Sequence, residues 1–339
     1  MGRRGTGTQG PDGLLLVDKP AGISSAAVVA RVRRVLDGVK AGHTGTLDPF
    51  ATGLLPLALG EGTKLAAYLT DADKAYEGVI RLGVTSDTHD RTGTVGAGGP
   101  VPELGEALLE EVAAEFRGEI LQVPPSFSAI KKGGTPMYEL ARRGQAPELE
   151  ARPVRVDRLE LAPAAQASRI AVTVECSKGF YVRSLARDIG ERLGCGAILE
   201  GLRRTRVGRL RVEDAIALED LEKPGGEALA RARVVPMVEA LAGAMRLLEV
   251  GRDQAAGLRL GRQGSLAGLP AGEPGERARV ACGADLVAVA VCEGRLWALE
   301  RVFAARPEGS SSCPPSGFVL APAVSQLEEE ERNEANRRD

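Results

Sequence analysis

Residues 42–56 read Gly42-His43-Thr44-Gly45-Thr46-Leu47-Asp48-Pro49-Phe50-Ala51-Thr52-Gly53-Leu54-Leu55-Pro56. The glycine, threonine and proline content from Ala41 to Gly53 predicts a loop, and Pro49 biases Asp48 away from helical backbone geometry. By spacing alone Asp48 has two readings: a turn or capping aspartate, the more frequent use of Asp in loops, or a carboxylate presented for chemistry.

The flanks set this loop in a mixed fold. Upstream, Leu14-Leu15-Leu16-Val17 predicts a short strand stopped by Lys19-Pro20 and Gly22. Ser24 and Ser25 can then cap a helix through Val28, Val29, Val32 and Leu36. Downstream, a short helix is expected around Lys64 to Leu69, and Tyr76, Gly78, Ile80 and Leu82 alternate with Glu77, Val79 and Arg81 as in a strand. Further helices are predicted for Glu103 to Phe116, Met137 to Arg143 and Tyr181 to Leu193, and strands for Val154 to Leu161 and Arg169 to Cys176. Strands and helices mix without regular alternation, which predicts an α+β fold with a mainly antiparallel mixed sheet. From about Met245 the texture changes: Ala278 to Cys282, Leu286 to Cys292 and Leu296 to Val302 predict a small all-β module at 245–304. A flexible stretch at 1–12 and a disordered tail at 305–339 complete the expected organisation around a body at 13–240.

Composition narrows the function classes. The chain has 339 residues, no run of eighteen apolar residues, and two arginines near an N-terminus without a following apolar core, so a soluble, unexported, cytoplasmic protein is expected. Five scattered cysteines and two histidines argue against structural zinc and a disulfide framework. The net charge of −2 looks wrong for a nucleic-acid partner, but four basic and seven acidic residues from Ala305 onward leave the body at +1. Its basic clusters are Arg31, Arg33 and Arg34; Lys131 and Lys132; Arg142 and Arg143; and Arg203, Arg204, Arg206, Arg209 and Arg211. Each fits a solvated face as well as it fits RNA contact.

The segment 43–56 closely resembles the catalytic-aspartate motif of the bacterial tRNA pseudouridine synthase B (TruB) family. Other motifs follow in order. Gly13 to Ser25 (GLLLVDKPAGISS) resembles the first, structural motif. Asp73 to Tyr76 with Leu82-Gly83 and Thr85 to Asp90 resembles the second, with Ser86 where the family more often has Thr. Pro124 to Arg143 (PPSFSAIKKGGTPMYELARR) resembles the insertion that grips the T arm, at about 124–152, with Phe127 replacing a usual Tyr. Cys176 to Gly190 (CSKGFYVRSLARDIG) resembles the arginine motif and Leu202 to Thr205 the leucine motif. The C-terminal module, with Gly257-Leu258-Arg259-Leu260-Gly261, resembles the RNA-binding PUA domain.

This resemblance implies a pseudouridine synthase catalytic fold and an isomerase, an intramolecular transferase acting on uridine 55 in the T loop of elongator tRNAs. The reaction breaks the bond from N1 to C1′ and joins C5 to C1′ without net redox change, so no cofactor or metal is expected. Asp48 would serve as nucleophile or base, through C1′ attack, ring addition or a glycal, each requiring an ionised carboxylate in a dry site. Burial opposes ionisation and a guanidinium favours it, which makes Arg183 the expected partner. Tyr76 would stack on the uracil and assist removal of the C5 proton, and Tyr181 and Leu202 would complete the pocket. His43 would meet the flipped nucleotide or fill the gap it leaves. Lys19, Lys64 and Lys131 would contact RNA backbone or support the loop. Asp87, His89 and Asp90 read better as a supporting loop than as metal ligands.

The expected partner is the tRNA T stem-loop, met by a monomer with no required protein, guide RNA or membrane. A tRNA-folding activity could accompany catalysis. The rival readings are a binding module that folds RNA without catalysis, a member of the guide-dependent archaeal and eukaryotic branch, and a synthase acting on ribosomal RNA.

Overall fold

Strand β1 (Gly13–Lys19) is apolar without alternation because both its faces are covered. Leu15 and Val17 enter one core while Leu14 and Leu16 enter another, all four at most 2% exposed. Each such side chain is worth about 1.5–3 kcal/mol of burial. The computed structural model describes residues 10–127, 131–132, 135–136 and 149–305.

After β1 come β2 (Ala41–His43), β3 (Thr52–Leu59) and β4 (Lys74–Leu82), then a small hairpin of β5 (Val84–Ser86) and β6 (Val95–Ala97). Strand β7 (Gly118–Gln122) precedes a second hairpin, β8 (Lys131–Lys132) and β9 (Thr135–Pro136). The main sheet is completed by β10 (Arg152–Pro163), β11 (Arg169–Cys176), β12 (Ala197–Val207), β13 (Leu210–Arg211) and β14 (Ile216–Ala217). Its order is β14-β1-β3-β12-β4-β11-β10-β7, with β13 beside β12 and β2 beside β3. Among this sheet's strand pairings, β1 with β14 and β3 with β12 are parallel and the rest antiparallel, so the expected mixed, mainly antiparallel α+β sheet is present.

Helices Ser25–Val35, Glu106–Glu115 and Val182–Arg192 cover one face of this sheet through Val28, Val32, Leu109, Val112, Leu185 and Ile189. Ser24 caps the first of them by accepting from the Ala27 N–H, as its sequence position predicts. A separate sheet of β15 (Arg246–Glu249), β16 (Arg277–Cys282), β17 (Asp285–Glu293) and β18 (Leu296–Val302) forms the C-terminal unit. One helix, Arg252–Arg259, lies against it. Ala281, Leu286, Val289 and Phe303 of this unit share a core with Leu14, Leu16 and Leu54.

Two central strands depart from the sequence reading. The loop expected to run to Gly53 gives way to β3 at Thr52, and β3 continues through Pro56. Periodicity is silent there because both faces of Leu54 to Leu59 are buried. Strand β12 includes Arg203, Arg204 and Arg206, read from sequence as a basic surface cluster. Instead Arg203 pairs bidentately with Asp18 at 3.0 and 2.7 Å, Arg206 pairs with Glu175, and Arg204 is buried. Asp12, placed in a flexible N-terminus, accepts the Glu61 N–H at 2.7 Å. The expected helix at Met137 to Arg143 and most of the T-arm insertion, like residues 1–9 and 306–339, lie outside the described residues.

Candidate active site

The Asp48 loop is fixed from three sides before any reacting group is considered. The Ser25 hydroxyl donates to the Leu47 carbonyl at 3.0 Å and accepts the Leu47 N–H at 2.9 Å. The Lys19 ammonium, wholly buried, donates to the carbonyls of Pro20, Pro49 and Ala51 at 2.9, 3.2 and 2.6 Å. Arg204 donates to the carbonyls of Gly45 at 3.1 Å and Leu54 at 2.8 Å, on either side of the loop. Gly53 admits this approach: its φ is +98°, and a Cβ there would lie 2.3 Å from the Arg204 carbonyl oxygen.

Of the two uses expected for Lys19, the structure places it in loop support: its ammonium donates to the carbonyls of Pro49 and Ala51 within the loop and of its own neighbour Pro20. Burial lowers its pKa to about 8, against the opposing pull of Asp48. Lys19→Met is expected to cost about 1–3 kcal/mol, the scale of carbonyls left without donors. It should also slow the reaction more than it weakens RNA binding, which denaturant melts and single-turnover rates would separate. Equal stability and rate would remove the loop from its control.

Asp48 meets Arg183, which the first turn of helix Val182–Arg192 holds in place. Arg183 Nε lies 2.9 Å from Asp48 Oδ2, and Nη2 donates to Oδ1 at 3.3 Å. The guanidinium is 6% exposed and the carboxylate 33%, so the buried partner orients the accessible one. Further bonds run from Nη1 to the Thr88 carbonyl at 3.1 Å and from Nη2 to the Phe127 carbonyl at 2.8 Å. The backbone of Phe127 thus contributes here whatever its missing hydroxyl would have done. Asp90, 4% exposed, lies 3.7 Å from Arg183 Nε and accepts from Thr88, the Thr92 N–H and the Thr92 hydroxyl. The Ser86 hydroxyl lies 3.2 Å from that of Thr88, so the Thr-to-Ser departure keeps the oxygen in this turn.

The electrostatics are a contest. Burial pushes the Asp48 carboxyl above its ordinary value, Arg183 pulls it down, and Asp90 pushes it up again, with the net direction upward. One guanidinium serving two carboxylates only partly offsets the desolvation. Tyr76 stands opposite Arg204 in the β4–β12 register and is 9% exposed; burial pushes its hydroxyl up and Arg204 pulls it down.

The remaining expected residues divide. Leu202, with Phe50 and Thr52 from the far side of the Asp48 loop, lines a cleft of about 530 Å³. His43, on β2, is half-buried, and its Nδ1 has no hydrogen-bond partner among the described residues. Burial and then Arg204 lower its pKa, favouring neutral imidazole. Tyr181 begins the Arg183 helix, its backbone N–H and carbonyl both bonded to the Gln122 side chain at 2.8 and 3.2 Å. Lys64 is not brought to this site: it pairs with Glu61 at 2.5 Å, donates to the Val302 carbonyl at 3.3 Å and lies over the Phe303 ring. It fastens the C-terminal unit to the body, a use its sequence context did not signal. Lys131 lies on β8, beyond which its side chain is outside the described residues. Among the described residues no group of three His, Cys, Asp or Glu side chains is placed to hold a metal ion.

Sequence reasoning missed Arg204 as a buried site residue and missed Gln122. Nothing in the pair Arg203-Arg204 distinguishes the surface arginine from the buried one except strand alternation, which the unrecognised β12 concealed.

Comparison with known proteins gives this constellation a family. Residues 33–182 match the model of the TruB family pseudouridylate synthase N-terminal domain, and residues 183–242 that of the tRNA pseudouridylate synthase B C-terminal domain. A tRNA pseudouridine synthase B from Aromatoleum aromaticum is 47% identical over 78% of this chain and 83% of its own length. One from Chromohalobacter salexigens is 46% identical over 86% of this chain and 94% of its own. Among solved structures, a Cbf5-Nop10-Gar1 complex includes a chain with a TM-score of 0.68 and 28% identity, covering 87% of this chain and 85% of that one. An H/ACA RNP bound to a substrate RNA containing 2′-deoxyuridine includes one with a TM-score of 0.66 and 25% identity over 87% and 86%. With the Asp48 loop and its Arg183 partner lying within the matched segments, the chain belongs to the TruB family of pseudouridylate synthases.

Proposed function

We propose that this pseudouridine synthase isomerises uridine 55 in the T loop of elongator tRNAs, extracting the base from its stack and using Asp48 as nucleophile or base. The observation that carries the reading is the Asp48–Arg183 pair at 2.9 Å, one member accessible and the other buried, on a loop held by Ser25, Lys19 and Arg204. A carboxylate so placed can attack C1′, add to the ring or remove a C2′ proton, and the guanidinium supplies charge compensation in each case. Tyr76 stacks on the uracil, Leu202 and Tyr181 border it, and His43 meets the extracted nucleotide or occupies the gap.

The PUA-like C-terminal unit adds an RNA-binding surface in this reading, and the insertion near 124–152 grips the T arm. The chain acts as a cytoplasmic monomer without guide RNA or protein partner, and a tRNA-folding activity accompanies catalysis. Support for guide independence is the 46–47% identity to synthase B relatives, against 25–28% to the chains of the H/ACA RNP and Cbf5-Nop10-Gar1 structures named above.

A T-arm stem-loop tritiated at uridine C5 tests the enzyme reading: purified protein should release tritium at the target uridine. Bound RNA with no release would sink it. RNA affinity should fall by roughly tenfold or more between 50 and 200 mM salt, given several local phosphate contacts despite the negative net charge. A salt-independent affinity would argue against phosphate recognition.

A further inference from the structure

Two arginines line the cleft that Leu202, Phe50 and Thr52 border, and only one of them is committed. Arg203 holds Asp18 through both terminal nitrogens, at 3.0 and 2.7 Å. Arg91 is exposed, and among the described residues its guanidinium makes no hydrogen bond or ion pair. It lies over the Phe50 ring, with the guanidinium carbon 5.7 Å from the ring centroid. An aromatic face steadies a cation without consuming its five N–H donors.

The backbone under Arg91 is fixed on both sides. Its N–H donates to the Leu199 carbonyl at 3.2 Å, and Asp90 before it bridges to Leu199 and accepts from the Thr92 N–H and hydroxyl at 2.8 and 2.6 Å. Asp90 lies 3.7 Å from Arg183 Nε, while Phe50, 5% exposed, follows Asp48 by two residues. The cation is thus fastened at its root to the Arg183 side of the site and at its tip to the Asp48 loop. Glu200, the residue after Leu199, does not neutralise it, because that carboxylate takes Arg169 Nε and Nη2 at 2.5 and 3.0 Å. Arg81 stands opposite Arg169 in the β4–β11 register, so three guanidiniums share this end of the sheet with one committed carboxylate. The bond from Arg169 holds the Glu200 carboxyl below its ordinary value, and Arg81 and Arg91 add to that pull.

We propose that Arg91, seated on Phe50, is a phosphate clamp: it binds a phosphodiester of the substrate RNA beside the extracted uridine and fixes the strand against the Asp48 loop. The ligand class follows from the donors. A guanidinium fork without a protein acceptor matches the two free oxygens of a phosphodiester, and an RNA strand brings one at every linkage. Contacts of this kind set register and orientation, which is what a base leaving its stack requires of the backbone on either side of it. The ring under the cation limits where the fork can reach, so the contact marks one linkage rather than attracting the strand diffusely. This inference rests on the proposed reading of a T-loop uridine as the substrate.

The test titrates a T-arm stem-loop with the protein between 50 and 200 mM salt. Arg91→Met, whose apolar stem can still cover Phe50, is expected to bind roughly tenfold more weakly at low salt, the scale of a lost hydrogen bond to a charged group. Its plot of log affinity against log salt should be shallower by about 0.7–0.9, one phosphate's share. Arg91→Lys keeps the charge, so it should keep the slope and lose only part of the affinity. A further arm replaces the loop phosphodiesters one at a time with uncharged methylphosphonate. At one linkage beside the target uridine the replacement should weaken wild-type binding and leave Arg91→Met binding unaltered. Equal penalties in both proteins at every linkage, or an Arg91→Met salt slope equal to that of wild type, would overturn the clamp. So would an Arg91→Met protein that melts lower but binds the RNA as wild type does, the result expected of a cation that only covers Phe50. Wild type forming no pseudouridine in the unmodified stem-loop would overturn the substrate reading instead.

Discussion

Asp48→Asn is expected to form product at least about 10⁴-fold more slowly than wild type, the scale of removing a reacting nucleophile or base. It should also bind the T-arm stem-loop with near wild-type affinity and melt no lower at neutral pH. The last expectation follows from the direction of the carboxyl shift. Its folded pKa is raised, so its contribution to stability is present below the unfolded value and is lost as pH rises through the folded one. At neutral pH the charged form is a net burden on the fold, and the neutral amide of Asn avoids it. The same shift places the acid limb of kcat/KM above the ordinary carboxylate range, with activity rising as Asp48 ionises. Tritium release across pH 4–8 would display that limb, and a thermal melt would compare the proteins. A variant with wild-type tritium release would end the assignment of this carboxylate. One that melts well below wild type would show that the ion pair outweighs the burial.

The opposite pattern is expected for Arg183→Met, which should damage both activity and fold. Removing a guanidinium that is 6% exposed leaves Asp90, 4% exposed, without its cation, and the Thr88 and Phe127 carbonyls without that donor. Breaking such a buried pair costs about 3–5 kcal/mol. The carboxyl of Asp48 also loses the largest influence lowering its pKa, so the acid limb should move to higher pH. Loss of the paired cation should lower the rate by at least about 10²-fold. Arg183→Lys should recover little, because one ammonium cannot reach Asp48 together with two carbonyls. Urea unfolding and the pH dependence of single-turnover rates would measure the two effects, and a stable, active Arg183→Met protein would contradict both.

These contrasting outcomes also mark how far the sequence could be read. The first strand, its capped helix, the loop carrying Asp48 and the later arginine helix were legible because each has a local signal: an apolar run, a serine cap, a proline after the aspartate, helical spacing. The central strands β3 and β12 were hidden for physical reasons. In β3 burial on both faces erases alternation, and Pro56 reads as a break although its carbonyl still accepts the Thr44 N–H at 3.1 Å. In β12 charged residues mask a strand whose charges are paired or buried. Asp48 and Arg183 could be matched by motif, but Lys19 could not be told from a surface lysine. Its burial depends on the close return of Pro49 and Ala51, a tertiary fact. The same holds for Arg204 and for Gln122, whose bonds to the backbone of Tyr181 span 59 residues.

The double coverage of β1 and β3 carries a consequence for how the molecule comes apart. Leu15, Val17, Leu55 and Leu57 belong to the helix-covered core, while Leu14, Leu16, Leu54 and Ala58 belong to the one shared with the C-terminal sheet. The loop bearing Asp48 emerges directly before β3, at the seam between them. Excising the C-terminal unit would strip the lid from Leu14, Leu16 and Leu54 and let water reach the roots of that loop. The unit is therefore no detachable appendage. Unfolding should run through both sheets as one cooperative event, and the geometry at Asp48 depends on a sheet that contributes no side chain to it.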